Sequence, residues 1–211
     1  MSKGDLAERV YEVIIKEKMV KAGDLILVAF SGGPDSLALL HILRRLQDRL
    51  KIKLAAAHLD HGLRGEESAA ESQWVQELCK QWQISCYVGY WDGLNNKKTG
   101  ESPEEAARKA RLKFLEEQKE ATGAAVIAQG HHGDDQVETM IIRLLNGTGL
   151  RGLGGIKAVR PPYIRPLIYC SRRDIMDYCR AFDLNPRIDS SNYSDVYLRN
   201  QIRHELIPLL K

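Results

Sequence analysis

Leu25-Ile26-Leu27-Val28-Ala29-Phe30-Ser31-Gly32-Gly33-Pro34-Asp35-Ser36-Leu37 passes from a short apolar run, through a glycine-rich turn, into a second apolar run that reaches Leu50. Residues 25–30 have the length and character of a buried parallel strand. Leu37, Leu40, Leu43, Leu46 and Leu50 fall on one helical face. The segment between them is therefore a strand-to-helix turn. Backbone N–H groups at a helix start lack intrahelical partners and the helix dipole favours negative charge there, so the turn suits a phosphate. Gly32 and Gly33 let the backbone approach an anion closely. Ser31 and Ser36 add hydroxyl donors, and Asp35 places a carboxylate where Mg2+ could bridge to phosphate. The plain structural alternative is an ordinary βα turn with Ser36 as N-cap. The loop lacks the Gly-x-x-x-x-Gly-Lys-Ser/Thr pattern, which excludes a Walker-type site.

At 211 residues the chain is long enough for one substantial core, and a single domain over 1–211 is expected. No stretch approaches the roughly 18 apolar residues that span a bilayer, and residues 1–5 lack the apolar segment of a secretory leader. A cytoplasmic protein with no membrane partner is the expectation. Cys79, Cys86, Cys170 and Cys179 include no Cys-x-x-Cys, which argues against zinc ribbons and most iron–sulfur sites and for buried thiols. Charge is uneven. Residues 1–150 carry 20 Lys/Arg against 22 Asp/Glu, whereas residues 151–211 carry 11 against 6. That basic end fits a polyanion partner as well as it fits a solvated surface.

Periodicity and punctuation lay out an N-terminal helix (5–18), a core at about 24–146 and a C-terminal helical segment (165–211). Within the core, strands are expected at 25–30, 52–58, 84–90 and 124–129, alternating with helices at 36–50, 68–82, 103–121 and 134–145. Residues 61–67 form a charged loop, and 92–102, without periodicity, a mobile one. Ser102-Pro103-Glu104-Glu105 combines an N-cap, Pro at the first helical position and Glu three residues on. Gly147, Gly149, Gly152, Gly154 and Gly155, then Pro161-Pro162, read as a flexible connection. Further helices are expected at 171–182 and 197–206. Strands alternating with helices give an α/β fold: a doubly wound, mainly parallel sheet with helices on both faces. Ligands then sit beyond the carboxyl ends of the strands. The Ser31 loop, His58 and Asp60, and Gly130-His131-His132 should meet there.

His131-His132-Gly133-Asp134-Asp135-Gln136-Val137-Glu138-Thr139 is the second dense cluster. Asp135 and Glu138 share a helical face and could hold Mg2+ or an ammonium group, whereas Asp134 reads as a helix cap. His131 or His132 could take a proton near neutrality; the sequence does not choose between them. Arg108 and Arg111, three apart, could clamp phosphate or nucleic-acid backbone, and Arg199 and Arg203 share a face of the last helix.

The Ser31–Ser36 loop resembles the PP-loop of the ATP pyrophosphatases, which share the adenine nucleotide alpha hydrolase-like fold and cut ATP between its α and β phosphates. His58-Leu59-Asp60-His61-Gly62-Leu63-Arg64, Ala106-Ala107-Arg108-Lys109-Ala110-Arg111, Gly130-His131-His132-x-Asp134-Asp135-Gln136-x-Glu138-Thr139, Arg165-Pro166-Leu167 and Arg199-Asn200-x-Ile202-Arg203 follow it in order. The set resembles the catalytic domain of the tRNA(Ile)-lysidine synthetase family over about residues 25–210. Leu112, where the family usually has an aromatic, and Asn146-Gly147-Thr148-Gly149, where it often shows Arg-Gly-x-Gly, depart from the pattern.

The resemblance implies a ligase that uses ATP and Mg2+ to adenylate the wobble cytidine of a minor isoleucine tRNA with a CAU anticodon, then joins free L-lysine to it. It implies ATP contacts at Ser31, Gly32, Gly33, Pro34, Asp35, Ser36, His58, Asp60 and Gly130, with Asp35 on the metal. Catalytic roles fall to Asp35, His131, His132 and Arg108. Lysine contacts fall to Asp135, Glu138 and Arg199, and tRNA contacts to Arg64, Arg111 and Arg203. A homodimer is left open. Most of the family continues into C-terminal domains that grip tRNA, and the sequence stops at Lys211 without them. The alternatives are a PP-loop tRNA thiolase, or an ATP- and tRNA-binding fragment with little turnover of its own.

Overall fold

The computed structural model describes residues 5–60, 66–92, 102–147, 154–187 and 201–209. Arg64, Arg199, most of the 61–67 and 92–102 loops and the start of the last expected helix lie outside them. Asp5 caps α1 (Leu6–Lys16) by accepting from the Ala7 N–H. Then come β1 (Leu25–Ala29), α2 (Pro34–Leu50), β2 (Lys53–Asp60), α3 (Glu66–Gln81) and β3 (Ser85–Tyr90). The second half holds α4 (Pro103–Thr122), β4 (Val126–Ala128), α5 (Gly133–Leu145), β5 (Val159–Arg160), β6 (Tyr163–Ile164) and α6 (Arg172–Ala181). A π-helical segment, Ile202–Leu206, leads into α7 (Ile207–Leu209). Among the described residues no helix is long and apolar enough to cross a membrane.

The strand order is β3-β2-β1-β4-β6-β5, parallel throughout except for β5 against β6. Side chains alternate across the pleat. Ile26 and Val28 of β1 point into a core shared with α1, α2, α3 and α6, while Leu27 points into a smaller one with Leu115 of α4, Ala55, Ala57 and Ile127. Both faces are covered, as a parallel sheet requires.

Two expectations change. Helix α2 begins at Pro34, not Ser36, because Pro suits the first helical position and Gly33 takes the cap. The supposedly flexible connection contains the β5–β6 hairpin, which turns at Pro161-Pro162 and brings β6 parallel to β4. Its approach is tied down as well: Gln136 Nε2 donates to the Ile156 carbonyl at 2.7 Å, and Arg143 to that of Gly155 at 3.1 Å.

Candidate active site

From β1 the chain winds one way to β2 and β3, then crosses back to place β4 on the other side of β1. The β1–β4 boundary is thus the switch point of the sheet, where a crevice opens beyond the strand ends. The Ser31 loop and the Gly130 loop flank it. Gly32 has φ +81°, a left-handed conformation, and a Cβ there would stand 3.1 Å from Glu71 Oε1. Gly130 is needed for close approach: a Cβ would lie 3.1 Å from the Asp35 carbonyl carbon and 3.2 Å from the Ser36 nitrogen. Ser36 is buried and organises the loop, accepting from the Ser31 N–H at 3.2 Å and donating to the Gly33 carbonyl at 3.0 Å. Ser31 Oγ lies 3.1 Å from Ser36 Oγ.

His132, only 1% exposed, sits where three carboxylates converge. Its Nε2 is 3.7 Å from both Asp35 Oδ1 and Asp135 Oδ2, and its Nδ1 is 3.6 Å from Asp134 Oδ2. The capping roles differ from the expected ones. Asp135 caps α5 by accepting from the His132 N–H at 2.9 Å, whereas Asp134 accepts from the Arg172 N–H of α6 at 2.6 Å. Burial pushes the Asp35 carboxyl above its ordinary value, outweighing the attraction of His132 and Arg172, and the nearby Asp135 adds to the rise.

One helical turn along α5, Glu138 is fully buried. Arg203 Nε donates to Glu138 Oε1 at 2.6 Å, and Arg203 Nη2 is 3.6 Å from Asp135 Oδ1. Asp135 and Glu138 share a face of α5, as their spacing predicts, and Arg203, expected as a tRNA contact, directs its guanidinium at both. A buried carboxylate requires a nearby cation, and Arg203 supplies it.

Other expected residues stand apart from this cluster. His58 is buried, and because the Phe30 carbonyl can only accept, His58 Nδ1–H donates to it at 2.9 Å. It holds the end of β1 from behind the loop; burial lowers its pKa. Asp60 accepts from Ser72 Oγ at 3.3 Å and lines a separate cavity of about 350 Å³ between α3 and β3. Arg108 and Arg111 lie exposed on α4. Arg165 proves structural: buried, it donates to Gln129 Oε1 at 3.0 Å and to the Lys157 carbonyl at 2.9 Å.

Sequence reasoning misses Arg172, whose Nη1 is 3.4 Å from Asp35 Oδ2. The signal lay in the β6 end, another parallel-strand terminus at the same crevice. It also misses Arg187, whose N–H donates to the Gly32 carbonyl at 3.0 Å.

Asp35 Oδ1 is buried without a hydrogen-bond partner, and the described residues contain no cluster of three or more metal ligands. One open carboxylate beside a phosphate cradle fits Mg2+, which is commonly held by one or two carboxylates together with substrate phosphates. Cys179 Sγ contacts the Pro34 carbonyl at 3.7 Å, but burial pushes its thiol, like that of Cys170, up to about 11. Both stay protonated at neutral pH and are poor sulfur nucleophiles.

Comparison with known proteins agrees with this geometry. A model of the PP-loop domain matches residues 5–210. The tRNA(Ile)-lysidine synthase of Clostridium perfringens strain 13 is 45% identical over 209 residues, which is 98% of this chain and 44% of that protein. The one from Geobacillus kaustophilus is 41% identical over 211 residues, 98% of this chain and 46% of that protein. The chain thus spans less than half the length of these relatives. A U34-tRNA thiolase from Methanococcus maripaludis superposes with TM-score 0.80 at 17% identity, covering 97% of this chain and 72% of its own. An NH3-dependent NAD synthetase from Campylobacter jejuni gives 0.55 at 15%, covering 88% and 75%. At those identities the two structures speak for the fold alone. With the loop, the switch point and the family match in agreement over nearly its whole length, the chain belongs to the PP-loop domain family.

Proposed function

We propose that the chain is the catalytic unit of a tRNA(Ile)-lysidine synthetase, joining free lysine to a cytidine through an adenylated intermediate. The observation that carries this reading is the adjacency of two charged groups: Asp35 at the phosphate loop, and the Asp135–Glu138 pair that already holds a guanidinium. A free amino acid carries both charges. On entering, its ammonium would compete with Arg203 for Asp135 and Glu138, and its carboxylate would take the guanidinium so released, which moves Arg203 from tRNA to lysine. The names of the relatives support tRNA as the acceptor.

In the first step a cytosine carbonyl oxygen attacks the α-phosphorus and pyrophosphate leaves. The loop N–H groups other than that of Ser31, which Ser36 Oγ accepts, and excepting Pro34, which has none, stabilise the charge that develops on the α-phosphate oxygens. Mg2+ bound at Asp35 would neutralise phosphate charge. In the second step the lysine ε-amine attacks the activated carbon and AMP departs. His131 is the better proton acceptor, since it is partly exposed while His132 is sealed among carboxylates. His132 then fixes the relative positions of Asp35, Asp134 and Asp135.

The test is pyrophosphate release by the purified chain with tRNA transcripts and single amino acids. Release that depends on a CAU-anticodon isoleucine tRNA, followed by incorporation of labelled lysine, is expected. Incorporation of sulfur, or indifference to lysine, would overturn the proposal.

A further inference from the structure

We infer that Arg172 is a phosphate-binding residue of this site, released from Asp35 when a nucleotide enters and then paired with the β and γ phosphates that leave as pyrophosphate. The inference deepens the proposed ATP chemistry and rests on it.

Three parallel strands end at the crevice: β1 with the Ser31 loop, β4 with the Gly130 loop, and β6 with the segment that opens α6. Each contributes charge or donors to one point. That of β6 is Arg172, the first residue of α6, whose backbone is fixed when its N–H donates to Asp134 Oδ2 at 2.6 Å. The underlying segment is also fixed. The Gly133 N–H donates to the Cys170 carbonyl at 2.7 Å, and a Cβ on Gly133 would lie 3.0 Å from that oxygen. Arg172 is therefore aimed from a rigid platform, with only its side chain free to move.

Its partner is the residue that a metal-bound triphosphate would claim. Arg172 Nη1 stands 3.4 Å from Asp35 Oδ2, longer than a good charge-assisted bond, and its side chain is 41% exposed. A contact this loose and open is readily exchanged for phosphate oxygens, which guanidinium binds through two N–H groups at once. Exposure orders the site from floor to mouth: the His132 side chain at 2%, that of Asp35 at 27%, that of Arg172 at 41%. A leaving group that must exit to solvent passes the outermost of these. When the bond between the nucleophile oxygen and the α-phosphorus forms, the bond from that phosphorus to the bridging oxygen breaks and its electron pair departs on pyrophosphate. Arg172 is the exposed cation beside Asp35 that can meet this charge.

Calorimetric titration of the full chain with ATP, pyrophosphate and AMP, each with Mg2+, tests the inference without tRNA or lysine. Arg172→Met should weaken ATP and pyrophosphate about tenfold or more, roughly the value of one charge-assisted contact, and change AMP less than about twofold. Arg172→Lys should fall between, and melting temperatures should show both variants folded. Equal weakening of all three ligands, or unchanged pyrophosphate affinity in a folded Arg172→Met variant, would overturn it. Failure of the wild-type chain to bind ATP would overturn the ATP reading and this inference together. Binding of ATP without lysine transfer to tRNA would overturn only the lysidine reading.

Discussion

Asp35 carries a burden set by its surroundings. Burial holds its carboxyl above the ordinary 3.8, despite His132 and Arg172 nearby. The folded state therefore binds that proton more tightly than the unfolded chain. Its contribution to stability is complete below the unfolded value and lost as pH rises through the higher folded one. Asp35→Asn should melt like the wild type in acid and higher at pH 7, by roughly 2–4 °C for each kcal/mol relieved. Calorimetry across pH checks this; a gain that did not grow with pH would contradict it. The same variant should lose Mg2+-dependent ATP binding, so stability here is exchanged for function. Gly130 sets the opposite wall. In Gly130→Ala the new methyl would press on the Asp35 and Ser36 backbone, which cannot rotate away. Overpacking of about 1–3 kcal/mol is expected. Much of it should appear as a tenfold or greater loss of ATP affinity, read by titration, with helix content unchanged by circular dichroism.

At the scale of elements, α2 is clamped to α6 by His41. Its Nδ1 lies 2.8 Å from Tyr178 Oη, and its ring packs against Trp82, Tyr178 and Phe182. Burial, then Arg45 and Arg44, lowers its pKa to about 4. The unfolded chain takes up a proton near 6.5 that the folded chain refuses, so stability from this group is present above 6.5 and lost as pH falls toward 4. His41→Gln should flatten the fall in urea midpoint across that window, and an unchanged slope would exclude His41 as its source. The same elements show what was readable. Helices α2 and α4 announced themselves through leucine periodicity and through Ser102-Pro103, and β1 through an unbroken apolar run. Strands β5 and β6 could not, since two residues each carry no period and Pro161-Pro162 looks like an interruption. With β6 hidden, its terminus went uncounted and Arg172 with it. Arg203 illustrates a different limit. Spacing fixed which residues share its face but not that the face packs inward on α5, which only the buried Glu138 decides.

Among the described residues, four arginines fall into an inward and an outward pair, and the division is measurable. Arg165 and Arg203 are spent on Gln129 and on Glu138 with Asp135, while Arg108 and Arg111 stand exposed on α4. Helix α4 follows β3, and its first turns therefore lie at the same carboxyl edge of the sheet as the crevice. An RNA reaching the crevice would pass them. Each phosphate neutralised by a cation releases counterions, so the logarithm of affinity falls with the logarithm of salt by somewhat less than one per contact. Replacing both Arg108 and Arg111 by Ala should weaken tRNA binding and reduce the magnitude of that slope by about 1–2. Arg203→Ala should leave the slope intact, because its charge already answers carboxylates of this chain. It should instead lower the melting temperature, since Glu138 would remain buried without its guanidinium. Filter binding over a salt series, run beside thermal melts, separates the two sets. A slope that responded to Arg203 and ignored Arg108 and Arg111 would reverse the division and return Arg203 to the RNA surface.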